Sequence, residues 1–250
     1  MTSSTRAAGI RERNRIELTA EILASARRHL VAHGAAALSL RAITRDLGMA
    51  SSAIYRYFAS RDELLTALII EAYDDLADRV QVAESAVEDR DDHRRRWSAI
   101  GNALRGWALA NPQRWALIYG TPVAGYAAPE ATIDSASRVT RPMLALLGDT
   151  SRSASGGDPS APATRSQPQM LSPQLADTLS AMGVDEGGRD VVVGLGAWAQ
   201  LMGLINLELF GHLNNVVDDL DAHFEHQIGE MAERIVRSPA RPENMGPLSS

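Results

Sequence analysis

The chain has 250 residues, 45% of them hydrophobic and 22% charged, an ordinary composition for a soluble globular protein with one large or two modest cores. It has no cysteine, which excludes a disulfide framework, a thiolate nucleophile and a cysteine-held zinc. The net charge of −6 conceals a polarity: through Arg61, ten arginines stand against four acidic residues, a local +6 that leaves −12 for the remainder. A basic head on an acidic body suits a polyanion that meets one end only.

The first residues, MTSSTRAAGIRERNR, lack the apolar core of a signal peptide. No stretch approaches the ~18 uninterrupted apolar residues of a membrane span, so the expected location is cytoplasmic. Residues 1–14 read as a mobile arm. Arg6, Arg11, Arg13 and the adjoining Arg15 can reach phosphates or a minor groove, or can equally decorate a solvated tail. From about Ile16 to His33 a helix is predicted, because Ile16, Thr19, Ala20, Leu23, Ala26, Leu30 and Val31 recur at helical spacing. Gly34 is its C-cap, and His29 and His33 suit the negative end of its dipole.

The stretch ALSLRAITRDLGMASSAIYRYFASRDELL, residues 37–65, carries the functional signal. Ser39 is placed to cap a short helix with Ile43 and Leu47 on one face. That helix stops at Gly48, where the chain needs the positive φ that glycine adopts without penalty. A second short helix is predicted to pack Ala53, Ile54, Tyr57 and Phe58 inward, leaving Ser51, Ser52, Tyr55 and Arg56 outward. Arg61-Asp62-Glu63 then opens a longer helix. Two helices about a tight glycine turn form a helix-turn-helix, whose second helix can enter a DNA major groove.

Residues 15–65 resemble the DNA-binding domain of the TetR family of bacterial transcription regulators. Ile43, Leu47, Gly48, Ile54, Tyr55, Tyr57, Phe58, Arg61 and Leu64 stand at matching positions. Thr44 replaces the usual Ala, Ala50 a common Ser or Thr, and Arg61 the common Lys. The resemblance implies DNA contacts from Ser39, Arg41, Ser51, Ser52, Tyr55, Arg56, Tyr57 and Arg61. Of these, Arg56 has the geometry for bidentate pairing with guanine, and Arg61 reads as a phosphate clamp. Tyr57 can also be read as a purely structural aromatic.

Past the reader, a fourth helix is predicted over Asp62 to Val80, linking reader and ligand domain if the resemblance holds. The charged ESAVEDRDDHRRR reads as a solvated helix entrance before a helix from about Asp92 to Ala110. Asn111-Pro112 starts a short helix, PQRWALIYG, followed by the Gly- and Pro-rich loop GTPVAGYAAP. The next helix runs from about Pro129 to Leu147, kinked or restarted at Pro142. Residues 148–169 are too poor in apolar side chains to fold and read as a disordered insertion. Two long helices, Glu186 to Leu213 and Val216 to Val236, close the fold before a loose tail at 238–250. In the family, such helices pair with their mates in a four-helix dimer interface. The WAQLMG segment is similar to a Trp-x-x-x-His-Gly signature of one group of TetR-like C-terminal domains, with Met202 where the His would stand.

The expected architecture is therefore all-α. Residues 1–61 form a three-helix DNA-binding domain with the helix-turn-helix at about 39–58, and residues 62–237 a helical bundle for ligand binding and dimerisation. Trp97, Trp107, Trp115, Tyr119, Met143, Trp198 and Met202 would suit an apolar or aromatic effector, although any single one reads more simply as core. Asp221, His223, Glu225 and His226 lack a clear third ligand and read as a solvated or interfacial face, so no metal or cofactor is expected. No P-loop, nucleophile elbow or paired acid–base constellation occurs, so an enzyme is not expected. The function expected is a one-component regulator, most simply a homodimeric repressor on a palindromic operator, released by a small effector. A helical-bundle enzyme and a ligand-binding protein with a purely structural helix-turn-helix are the alternatives.

Overall fold

The computed structural model describes residues 3–154 and 189–236, with side chains described for 12–150 and 193–236. The described residues are helical throughout, without strands. Eight α-helices occur among them. They are α1 (Ser3–His33), α2 (Leu40–Asp46), α3 (Arg61–Ser85), α4 (His93–Ala110), α5 (Pro112–Tyr119), α6 (Ile133–Ala154), α7 (Arg189–Leu209) and α8 (Leu220–Val236). None is long and apolar enough to cross a membrane.

Two compact units emerge. The described part of one comprises residues 3–75 with 110–136, and that of the other 76–109, 137–154 and 189–236. This differs from the expected boundary at residue 61, because α5 and the loop after it add to the first core. That core is built on Ile22, Ala26, Leu38, Leu40, Ile43, Ile54, Phe58, Leu64, Leu65, Leu68 and Ile69. Leu117, Ile118, Val123 and Tyr126 pack against it from α5 and its loop. The Tyr126 and Thr66 hydroxyls lie 3.0 Å apart, and the Tyr73 hydroxyl donates to the Ile118 carbonyl at 3.2 Å.

The expected mobile arm is instead helical from Ser3 onward, continuous with α1. Its residues, STRAAGIRERNR, are mostly good helix formers, against which the single Gly9 costs about 1 kcal/mol. Within α1 the buried stripe is Ile22, Ala26 and Leu30, whereas the predicted Ile16 and Val31 are exposed. Gly34 ends α1 at φ 73°, its N–H donating to the Leu30 carbonyl at 2.9 Å.

In the second unit, α7 packs on α8. A Cβ at Gly101 would approach the Ile228 δ-carbon to 2.5 Å, and one at Gly194 would collide with Leu147, so these two glycines allow close helix approach. Gly196 and Gly203 meet no such neighbour. Pro142 neither breaks nor restarts α6, which continues through Gly148 to Ala154. The first residues of the predicted insertion are thus helical, and 155–169 lie outside the described residues, as do Glu186 and the 238–250 tail. The charged passage after α3 is also not simply solvated. Glu84, His93 and Arg96 are buried. The Arg96 Nε donates to the Glu84 Oε1 at 2.7 Å, one terminal nitrogen lies 2.7 Å from Asp149, and Arg90 also bonds Glu84.

Candidate nucleic-acid interface

The reading head begins with α2. Ser39 holds the N-cap position in an extended conformation, but its hydroxyl makes no capping bond. Ile43 and Thr44 are buried, and the Thr44 hydroxyl turns back to the Arg41 carbonyl at 3.0 Å, so Thr is accommodated at this position. Gly48 then takes φ 62°, and the Met49 N–H closes the turn on the Thr44 carbonyl at 2.9 Å. This is the left-handed conformation expected of the glycine.

The second helix differs from expectation. Residues 51–57 form successive turns around one 3-10 turn, Ile54–Arg56, rather than an α-helix. The bonds Ala53 N–H to Ala50 O, Arg56 N–H to Ala53 O and Tyr57 N–H to Ile54 O all span three residues. The facing pattern nonetheless agrees with the expectation: Ile54 and Phe58 are buried, Ser51, Ser52, Tyr55 and Arg56 exposed, and Tyr57 half-buried. A segment anchored by only two buried side chains over so short a span gains little from lengthening into regular helix.

Ser39, Arg41, Tyr55 and Arg61 line one shallow surface cleft, together with Leu38, Leu40 and Ser60. Four of the eight predicted contact residues thus converge there, while Ser51, Ser52, Arg56 and Tyr57 lie outside it on the turns. Tyr55 is 54% exposed, so its ring is available to a partner. Arg61 is tied to the backbone as well as lining the cleft. Its Nε donates to the Leu38 carbonyl at 3.0 Å, and one terminal nitrogen donates to the Ala35 carbonyl at 2.9 Å and more weakly to that of Ala36 at 3.4 Å. The guanidinium clamps the backbone leading into α2.

Ser60 is a residue that the sequence reading missed. Its hydroxyl accepts the Glu63 N–H at 3.1 Å, while the Glu63 carboxylate accepts the Ala59 N–H at 2.5 Å. Ser60-x-x-Glu63 is a capping-box spacing, visible in the sequence, that sets where α3 begins and so holds one wall of the cleft. Other ties brace the head. Arg27 makes two bonds to Glu71, at 2.8 and 2.6 Å, and His29 Nε2 lies 2.6 Å from an Asp46 oxygen. Arg27 and Arg61 are therefore engaged internally, and among the side chains described the exposed arginines of the head are Arg13, Arg15, Arg28, Arg41, Arg45 and Arg56.

The predicted effector residues do not fall in one compact unit. Trp115 and Tyr119 belong with the reading head, Trp115 fully buried with its ring 4.8 Å from that of Tyr119, which meets Tyr73 edge-on at 5.8 Å. Burial raises the Tyr73 and Tyr119 phenols above their ordinary pKa. Trp97, Trp107 and Met143 are buried in the other unit, where Trp198 and Met202 are half-buried on α7. Asp221, part of the His223/His226 cluster, lies 2.6 Å from Arg105, which also makes two bonds to Glu208 and holds its guanidinium 4.9 Å over the Phe224 ring. No group able to hold a metal occurs among the described residues.

Comparison with known proteins accounts for both units. Residues 22–68 match the family model described as bacterial regulatory proteins, tetR family, and residues 97–231 match the tetracyclin repressor-like C-terminal domain. The chain is 43% identical to the HTH-type transcriptional regulator Rv1816 of Mycobacterium tuberculosis over 208 residues, 81% of this chain and 85% of the relative. The crystal structure of SCO4313, assigned as a regulatory protein, is 32% identical and superimposes with a TM-score of 0.66, covering 88% of this chain and 97% of the other. A Rhodococcus sp. RHA1 protein of unknown function shares the fold at 20% identity and the same TM-score, over 88% of this chain and 96% of its own. With a helix-turn-helix at one end and a matching domain across more than half of its length, the chain belongs to the TetR family and is a DNA-binding transcriptional regulator.

Proposed function

We propose that this regulator is a homodimeric repressor whose operator is a palindrome and whose release is driven by a small apolar or aromatic effector. The observation that carries the DNA reading is the outward presentation of Ser51, Ser52 and Arg56 beside the cleft of Ser39, Arg41 and Tyr55, all mounted on one buried core. Ser51, Ser52 and Arg56 choose bases, with Arg56 bidentate to guanine O6 and N7. Arg41, Tyr55 and the exposed Arg13 and Arg15 of α1 engage phosphates, and Tyr57 buttresses the reader with its half-buried ring. Arg61 contributes chiefly by holding the α2 entry, since its Nε and one terminal nitrogen are directed to backbone carbonyls.

The dimer forms through α7 and α8, which carry the exposed apolar residues Leu195, Leu207 and Val236, with Phe210 just past the α7 end. Two readers then address successive major grooves, with half-sites one helical turn (~34–36 Å) apart. The effector acts by binding more tightly to a dimer whose reader spacing does not suit the operator, and its leverage is limited to that difference in affinity. The work is cytoplasmic, where the operator is.

Selection from a random duplex library, with binding repeated at two salt concentrations, tests the reading. It should return a palindromic consensus whose affinity falls steeply with salt, because each neutralised phosphate adds about −0.9 to the slope of log K against log salt. No enrichment at either salt would refute it.

A further inference from the structure

Three buried side-chain polar atoms among the described residues have no hydrogen-bond partner, and two of them lie one turn apart on α4: His93 Nε2 and Trp97 Nε1. His93 is 8% exposed and Trp97 0%. Buried polar groups are nearly always satisfied, so two together, in side chains of this size, call for a partner. The i, i+4 spacing sets their Cβ atoms about 6 Å apart on one helix face.

The neighbouring contacts settle where that face points. On one flank, Arg94 pairs with Glu233 and Gly101 abuts Ile228, both on α8. On the other, Arg96 pairs with Glu84 of α3 and Asp149 of α6. His93 and Trp97 lie between these flanks and face the interior of the second unit, above the buried apolar Ile100 and Leu104 on the same stripe.

The geometry points to a carbonyl-bearing apolar molecule as the effector, held by His93 Nε2–H and Trp97 Nε1–H; this deepens the reading of an apolar effector and rests on it. The indole N–H can only donate, while a neutral imidazole can present Nε2–H to the same atom. A carbonyl oxygen has two lone pairs and accepts from both. A carboxylate suits the place less well. The flanking Arg94 and Arg96 are each already paired with acids, so they offer no surplus positive charge to a second buried anion. The apolar body of the ligand extends along Ile100 and Leu104.

Dissociation constants of the full-length protein for acetophenone, ethylbenzene and benzoate test this, since the three share a phenyl body and differ in the group presented. Acetophenone should bind at least tenfold more tightly than either of the others. Trp97→Phe and His93→Phe should each erase that preference while leaving ethylbenzene unchanged, and His93→Gln, which retains a donor, should keep it. Equal binding of acetophenone and ethylbenzene overturns the anchor but leaves an apolar effector site standing. Preference for benzoate overturns the carbonyl class. Binding of none of the three overturns both the anchor and the apolar site, while operator binding by the same sample decides separately whether the regulator reading holds. Should circular dichroism show either Phe variant unfolded, ¹⁵N spectra of the wild type decide: the Trp97 indole resonance, one of four, should move with acetophenone and not with ethylbenzene. An unmoved resonance refutes the proposal.

Discussion

Arg61 illustrates how a side chain's role depends on where its donors are directed. Three backbone carbonyls, of Ala35, Ala36 and Leu38, receive its guanidinium, and Asp62 stands 3.6 Å away. A phosphate at the neighbouring cleft would have to compete with bonds already made. Arg61→Met should therefore lower stability, by about 1–3 kcal/mol from carbonyls left without their donor, in urea denaturation. The surviving folded protein should keep the same base preferences. A variant of undiminished stability that lost affinity uniformly for every duplex would restore Arg61 to direct phosphate contact. Arg27 is likewise committed internally, its Nη1 making two bonds to Glu71.

At the scale of elements, the reader is a short 3-10 turn between two well-anchored α-helices. Its start is set by the positive φ of Gly48 and its end by the Ser60–Glu63 cap of α3. Local spacing correctly placed Ile54 and Phe58 inward and Ser51, Ser52, Tyr55 and Arg56 outward, because the Phe58 N–H still reaches the Ile54 carbonyl four residues back, the spacing of an α-turn. It could not tell one helix type from the other over so short a segment. Arg56 is the exposed cation of this turn. Arg56→Ala should relax base preference at one operator position at a cost of about 1–3 kcal/mol there, read by repeating the duplex selection with the variant. An unchanged consensus would reassign Arg56 to phosphate. In the middle of the chain, Pro142 was expected either to kink α6 or to mark its restart, and it does not restart it. The helix instead continues past it, with Val139, Met143, Leu146 and Leu147 all buried. Their burial outweighs one missing hydrogen bond.

For the whole molecule, the acidic remainder and the exposed apolar residues at α7 and α8 matter together. Leu195 and Phe210 are 46% and 47% exposed in the single chain, more than an isolated surface needs. If these helices pair between subunits, Leu195→Glu with Phe210→Glu should give a monomer by light scattering, because four carboxylates would be buried across the two-fold axis without partners. Operator affinity should fall with it, as a single reader reaches only one half-site. A variant that remained dimeric would place the subunit interface elsewhere.

The sequence by itself determined the all-α class, the helix-turn-helix, its glycine turn and its outward face. Each of these is written in spacings of fewer than about five residues, which local sterics and hydrophobic periodicity control. Tertiary structure decided the rest. It joined α5 and its loop to the reading head, put Trp115 and Tyr119 in a different compact unit from Trp97, Trp107 and Trp198, and buried Arg96 between Glu84 and Asp149. It also turned Arg61 toward carbonyls more than twenty residues earlier in the chain. The charged run before α4 has no local period that distinguishes a buried arginine from a solvated one. Only the carboxylates brought to it from α3 and α6 make its burial affordable, and those partners are a property of the folded chain.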